Sequence, residues 1–247
     1  MLQIHQFPCL ADNYGFLLHD PASGATAAID TPDADEILRQ AASKGWTITD
    51  VWNTHWHPDH AGGNAAIKAA GARVTGPAEV ERIGAAPDRI VDEGDQVTLG
   101  AHAARVLDVG GHTLGHIAYV FDDANVAFVG DALFALGCGR LFEGTPQQMW
   151  ASLQKLAALP RDATLYCAHE YTLSNARFAA SVDGANPALQ TRIAEIERLR
   201  AANQPTVPMR LADEIATNPF LRAPQLLPEL ADWEAFAEIR KRKDSFK

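Results

Sequence analysis

The segment Thr54-His55-Trp56-His57-Pro58-Asp59-His60 places three imidazoles and a carboxylate within six positions. It follows directly on the apolar, strand-like stretch 48–53. Along an extended backbone alternate side chains share a side, so His55, His57 and Asp59 point one way while His60 turns with the chain. Imidazole and carboxylate together suit borderline cations such as zinc, iron or manganese, rather than an all-oxygen calcium site. Two neighbouring histidines alone would be equally well explained as an ordinary surface pair. Three, with an aspartate, at the end of a strand point to metal.

Three more candidate ligands occupy strand ends or tight loops. His112 lies in Val109-Gly-Gly-His-Thr-Leu-Gly-His116, between two apolar runs; Asp131 follows the run 126–130; His169 follows the run 165–168. Together with the first loop they make five histidines and two aspartates, too many for one tetrahedral ion and suited to two. A bridging carboxylate is then needed, and Asp131 is the candidate. Two divalent ions beside Asp59, Asp131 and a bridging hydroxide retain excess positive charge. That excess lowers the pKa of bound water toward ~7 from ~15.7, so hydroxide is present at neutral pH without a side-chain base. Hydroxide attacks a carbonyl carbon while a cation stabilises the oxyanion. A thioester suits this chemistry, because a thiolate with a pKa near ~8.5 departs without prior protonation. An amide nitrogen needs a proton donor, and none is evident.

These loops need strands and helices to hold them. Residues 16–19 and 25–30 read as a hairpin around the turn 20–24, and 117–121 with 126–130 as another. Helical periodicity runs over 34–43, ending near Gly45, and over 61–71. Thr145-Pro146-Gln147-Gln148 predicts a helix start with Thr145 as N-cap, proline at the first helical position and Gln148 completing a capping box. That helix extends to about Leu159, and a short buried strand over 164–168 ends at His169. From Tyr171 onward the pattern is helix only. Leu189, Ile193, Ile196 and Leu199 share one helical face, and 232–244 forms a last helix. The reading therefore divides the chain into 1–170, a metal-binding catalytic domain, and 171–247, a helical substrate-binding domain.

A 47% hydrophobic, 21% charged chain of 247 residues has the composition of a soluble globular protein with a substantial core. A net charge of −10 argues against nucleic acid as a partner. No apolar run reaches membrane-spanning length, and the N-terminus lacks the features of a secretory signal. Three widely spaced cysteines make no disulfide framework, so a reducing cytoplasm is the simplest compartment. No obligate protein partner is evident. Against the acidic whole, residues 240–247 carry Arg240, Lys241, Arg242, Lys243 and Lys247 against Asp244, a net +4. Arg240 and Lys243 share a helical face. A basic helix end also suits the macrodipole, without any ligand.

The T-H-x-H-x-D-H loop, the G-H-T-x-G-H loop, Gly130-Asp131 and the strand-end His169 resemble the metallo-β-lactamase superfamily. Several segments are more narrowly similar to glyoxalase II, the hydroxyacylglutathione hydrolases: 11–14, 131–140, Ala168-His-Glu-Tyr-Thr172, Asn218-Pro-Phe and Arg240-Lys-Arg-Lys-Asp244. The resemblance covers essentially the whole chain. It implies an α+β fold, a four-layer αββα sandwich with a small helical C-terminal domain. It also implies that His55, His57 and His112 hold one ion, that Asp59, His60 and His169 hold the other, and that Asp131 bridges. Zinc is the first expectation for the two divalent ions, with iron or manganese compatible. Asp59 and Asp131, with the bridging hydroxide, carry the catalysis. Arg140, Tyr171, Arg240 and Lys243 bind the glutathione portion, whose carboxylates favour cations. His116 matches a motif without being a ligand in the family and reads as a supporting residue; His5, His19 and His102 match nothing.

The implied reaction is hydrolysis of S-(2-hydroxyacyl)glutathione, typically S-D-lactoylglutathione, to glutathione and D-lactate, the second step of methylglyoxal detoxification. Alternatives within the same fold are another thioester or ester hydrolase, and a persulfide dioxygenase with one iron. Phe142 stands where many family members have a substrate-binding tyrosine, and Arg140 replaces a common lysine, which alters the donor geometry toward glutathione.

Overall fold

The computed structural model describes residues 1–246. They form two compact units: Met1–Asp108 with Gly115–Gly130, and Val109–Leu114 with the chain from Asp131 onward.

The first unit opens with β1 (Gln3–Cys9), β2 (Asn13–His19) and β3 (Thr26–Ile29), an antiparallel meander. Helix α1 (Ala34–Ser43) carries the chain to β4 (Asp50–Trp52), which pairs parallel with β3. Asp33 caps that helix by accepting the Glu36 amide at 3.1 Å, and Ile37 and Ala41 bury its inner face. Helices α2 (Pro58–Ala61) and α3 (Asn64–Ala69) follow, then β5 (Arg73–Gly76), a 3₁₀ turn at Ala78–Ile83 and β6 (Arg89–Ile90). The result is a sheet ordered β1-β2-β3-β4-β5-β6. Strands β7 (Gln96–Leu99), β8 (His102–Asp108), β9 (Ile117–Phe121) and β10 (Val126–Gly130) form an antiparallel meander in a second sheet.

The inner faces of the two sheets meet through aromatic rings. Trp52 lies 5.5 Å from Tyr119 and 5.9 Å from Phe121, and Phe16 lies 5.5 Å from Phe128, centroid to centroid. Residues 117–121 are buried without alternation, as a strand covered on both faces must be. The histidine loop leaves β4, whose Trp52 is held by the same aromatic contacts.

The periodic stretch 61–71 is not one helix. The chain breaks at Gly62-Gly63, because Gly63 donates to the Thr31 carbonyl at 2.9 Å and a Cβ there would lie 2.7 Å from that oxygen. Close backbone contact overrides the helical pattern and turns His60 back toward Thr31.

The second unit holds the small hairpin β11 (Leu133–Phe134) and β12 (Gly137–Cys138), helix α4 (Pro146–Ala157), and β13 (Thr164–Cys167). Helices α5 (Thr172–Asp183) and α6 (Pro187–Ala201) then pack through Ala176, Ala179, Leu189 and Ile196, which enclose Leu136. Thr145 caps α4, accepting the Gln148 amide at 3.2 Å; the Gln148 side chain donates instead to the Leu114 carbonyl at 3.5 Å, so only half of the capping box forms. The region after Tyr171 is also not purely helical. The two-residue strand β14 (Met209–Arg210) pairs antiparallel with β13, ahead of α7 (Leu211–Thr217), α8 (Ala223–Leu226) and α9 (Asp232–Ser245). No helix among the described residues is long and apolar enough to cross a membrane.

All three cysteines are free and buried. Burial pushes the Cys9 and Cys167 thiols up to about 12 and Cys138 to about 11.

Candidate metal centre

In the first unit the side chains of the histidine loop are held by one residue the sequence did not flag. Asp30 ends β3 in the left-handed region, at φ +59°, a conformation that aspartate tolerates better than most residues. Its Oδ1 accepts the Thr54 amide at 2.7 Å; its Oδ2 accepts the Thr54 hydroxyl at 2.8 Å and lies 2.8 Å from His60 Nδ1. A carboxylate at that distance holds the proton on His60 Nδ1, which leaves Nε2 as the lone-pair nitrogen. That nitrogen lies 3.6 Å from Asp59 Oδ2. Thr54 relays the same order to His55. With its own proton on Asp30, Thr54 Oγ1 accepts from His55 Nδ1 at 3.0 Å, and His55 Nε2 then faces His57 Nδ1 at 3.0 Å. Asn13 donates to both the carbonyl and Oδ2 of Asp59, each at 3.2 Å, and fixes the remaining carboxylate.

His116, fully buried, stacks on His55 at 4.5 Å and is a packing neighbour of the donors. Gly130, at φ +48°, closes this corner: a Cβ on it would come within 2.7 Å of Thr54 Oγ1 and 2.8 Å of the His116 ring. From the solvent side, Arg82 covers Trp56 at 3.9 Å from the ring centre.

In the second unit Asp131 is 6% exposed, and its two oxygens face different histidines. Oδ2 lies 3.3 Å from His112 Nε2, and Oδ1 lies 3.4 Å from His169 Nε2. His112 Nδ1 donates to the Arg140 carbonyl at 2.8 Å, so its Nε2 also presents a lone pair. His169 stacks flat on Tyr171, rings 4.6 Å apart and 3° from parallel. Exposed Phe142 sets its edge against His112 at 5.2 Å.

With Nδ1 protons held behind them, His60 Nε2 and His112 Nε2 turn lone pairs toward carboxylate oxygens at 3.6 and 3.3 Å, a repulsion that a cation between them relieves. The donors, buried except for half-buried His57 and Asp59, fit borderline divalent ions, and the hydrogen bonds behind His55, His60 and His112 set the tautomers such ions require.

The predicted substrate cations also belong to the second unit. Arg240 is only 6% exposed: Nη1 donates to the Cys138 carbonyl at 3.0 Å, Nη2 contacts Asp244 Oδ1 at 2.9 Å, and the guanidinium lies 4.9 Å above Phe220. Arg140 is largely exposed, with its Nε 3.6 Å from the same Asp244 oxygen. Lys243 Nζ donates to the Ser174 carbonyl at 3.2 Å and lies 5.4 Å from the Phe178 ring centre. Burial, and then the charge of Arg240, lower the Lys243 pKa to about 8.

Residues 15–169 match the metallo-β-lactamase superfamily, and residues 170–246 match the family described as hydroxyacylglutathione hydrolase C-terminus. The chain is 59% identical, over all of both chains, to a protein of Erythrobacter litoralis named hydroxyacylglutathione hydrolase. It is 56% identical to a protein of the same name from Hyphomonas neptunium, over 100% of this chain and 99% of that one. Among solved structures it is similar to ETHE1 from Myxococcus xanthus, with a TM-score of 0.70 and 25% identity over 97% of this chain and 90% of that one. The fold is accordingly the α+β metallo-β-lactamase sandwich with a helical C-terminal region. Full-length similarity, the helical C-terminal match and the histidine–aspartate donors agree, and the chain belongs to the hydroxyacylglutathione hydrolase family of the metallo-β-lactamase superfamily.

Proposed function

We propose that the protein hydrolyses S-(2-hydroxyacyl)glutathione thioesters, S-D-lactoylglutathione foremost, to glutathione and a 2-hydroxy acid in the cytoplasm. The observation that carries the hydrolytic reading is Asp131, a buried carboxylate with one oxygen toward each of two histidines, as a ligand shared by two ions requires. In this reading His55, His57 and His112 hold one ion, Asp59, His60 and His169 the other, and Asp131 spans both. Zinc is the metal of choice, and iron or manganese fits the same donors. When bound, the ions supply an acidified water and a Lewis acid for the thioester carbonyl.

The protein's own residues do the rest. Asp30 and Thr54 take the Nδ1 side of His60 and His55 and so turn Nε2 toward the metal position; Asn13 holds Asp59 in register; the Arg140 carbonyl orients His112. Residues 1–170 supply this machinery. Residues 171–247 supply Tyr171, Arg240 and Lys243, which with Arg140 select an anionic thiol carrier. The identically named full-length relatives support the glutathione assignment. A single-iron dioxygenase would leave Asp59, His60 and His169 without a task.

The test is turnover of S-D-lactoylglutathione, followed by loss of thioester absorbance, with metal content measured on the same sample. Efficient turnover with about two ions per chain is the expected result. Two ions without turnover would send the substrate reading to other thioesters, and a single iron would overturn the binuclear site.

Lys243 adds a pH signature. Its cation is nearly complete at pH 7 and is lost as pH rises through about 8, so substrate affinity falls in that direction. KM is expected to rise about threefold to tenfold between pH 7 and 9. Lys243→Arg, charged throughout, is expected to flatten the profile. An unchanged inflection in that variant would remove Lys243 from the binding role.

A further inference from the structure

We propose that Asp244 is a built-in counter-ion of the cationic subsite, holding the place of a substrate carboxylate and giving it up when substrate binds. The inference rests on the reading of α9 as part of the glutathione subsite.

Its position is the first argument. Asp244 sits in the last turn of α9, where the helix dipole disfavours a negative charge. Something else must hold it there, and what it touches is cationic. One oxygen, Oδ1, lies 2.9 Å from Arg240 Nη2 and 3.6 Å from Arg140 Nε. Lys243 is its chain neighbour. Without Asp244, three like charges would face one another across this small region. A carboxylate in that position makes them compatible while no substrate is bound.

The second argument is what can move. Arg240 is anchored: Nη1 is committed to the Cys138 carbonyl, the plane rests on Phe220, and the side chain is 7% exposed. Asp244 takes Nη2, while the Nε beside it is buried without an acceptor, so a substrate carboxylate seated across Nε and Nη2 needs the place that Asp244 Oδ1 holds. Asp244 is the accessible partner, with a short side chain 41% open to solvent. A substrate carboxylate therefore reaches Arg240 by replacing Asp244, one carboxylate for another. The exchange keeps the charge count of the pocket constant in both states. It also makes binding weaker than the cations alone would give, which favours release of the thiol product.

The experiment is calorimetric binding of S-methylglutathione, a non-hydrolysable thioether, to the metal-loaded full-length protein and to Asp244→Asn. The two monoethyl esters of the same ligand, each with one carboxylate blocked, are measured in parallel. The variant is expected to bind S-methylglutathione about threefold to tenfold more tightly than wild type, in line with removal of a half-exposed competing ion pair. The gain should vanish for the one monoester whose blocked carboxylate is the group that replaces Asp244, and KM for the thioester should fall in step. Asp244→Ser, which cannot reach Arg240, should behave alike and guards against hydrogen bonding by the introduced amide.

Weaker or unchanged binding by both folded variants would overturn the proposal, since Asp244 would then position the arginines or be irrelevant to them. An equal gain for S-methylglutathione and both monoesters would also overturn it, as an unspecific charge effect. Failure of wild type and variants alike to bind any of the three ligands would instead refute the glutathione reading itself, and this role with it.

Discussion

Asp131→Ala is expected to strip metal from the protein and to lower thioester hydrolysis by more than about 100-fold, because losing even a partner behind a metal ligand costs about 10–100-fold. The loss follows from the two-sided contact: with both oxygens gone, the lone pairs of His112 and His169 have no shared anion between them. Asp131→Asn separates charge from shape. Its amide presents one oxygen and one NH₂ group, so one histidine faces a donor where it needs a cation, and the variant should retain fewer ions than wild type. Metal analysis of dialysed protein decides the matter. An alanine variant that keeps about two ions per chain would dismiss the bridging role, whatever its activity.

Glu214→Ala is expected to cost about 3–5 kcal/mol of folding stability, the cost of breaking a largely buried ion pair and leaving its other partners unsatisfied. Glu214 is fully buried in α7; it accepts the Leu136 amide at 2.9 Å and the Asn218 side-chain amide at 3.0 Å, and pairs with Arg192 of α6. Arg192 retains Thr217 Oγ1 at 2.7 Å, which does not compensate its charge. Leu136 has a left-handed backbone, φ +56°, in the turn between β11 and β12. That turn lies between Asp131 and Arg140, so the damage should spread to the second unit's share of the site. In thermal unfolding the deficit corresponds to a drop of about 10 °C for a chain of this size. Glu214→Gln, which keeps an acceptor without the charge, should fall between the two. A melting temperature within about 2 °C of wild type for the alanine variant would show that the network contributes little.

These two residues differ in how visible they were. Asp131 announces itself, since an aspartate directly after a buried apolar strand in a histidine-rich chain has a chemical reason to be there. Glu214 has no such sign. Its partner Leu136 is 78 positions away, and nothing around Leu211-Ala-Asp-Glu214 distinguishes it from a solvated helix residue. Asp30 was missed for a similar reason: one aspartate after Ala-Ala-Ile is an ordinary strand end until Thr54 and His60 are brought to it.

Local signals fared well where the physics is local. The helix over 34–43, the Thr145 cap and the hairpin strand over 117–121 are each decided within a few residues. They failed where a distant backbone intervenes. Thr31 breaks the helical stretch at Gly63, and β13 recruits Met209-Arg210 as a strand from the far side of two helices. Arg240 was legible as a cation but not as a buried one, because burial depends on Cys138 and Phe220, which sequence spacing does not connect to it.

The buried cysteines have a consequence for a protein that releases a thiol. Glutathione leaves this reaction beside a chain whose own sulfhydryls titrate at about 11 to 12. At neutral pH only about one in 10⁴ to 10⁵ of them is thiolate, and thiolate is the form that attacks a disulfide. Oxidised glutathione and sulfenylating oxidants therefore meet almost no nucleophile on this surface. Burial thus disfavours S-glutathionylation of Cys9, Cys138 and Cys167 by the thiol pool that this reaction feeds.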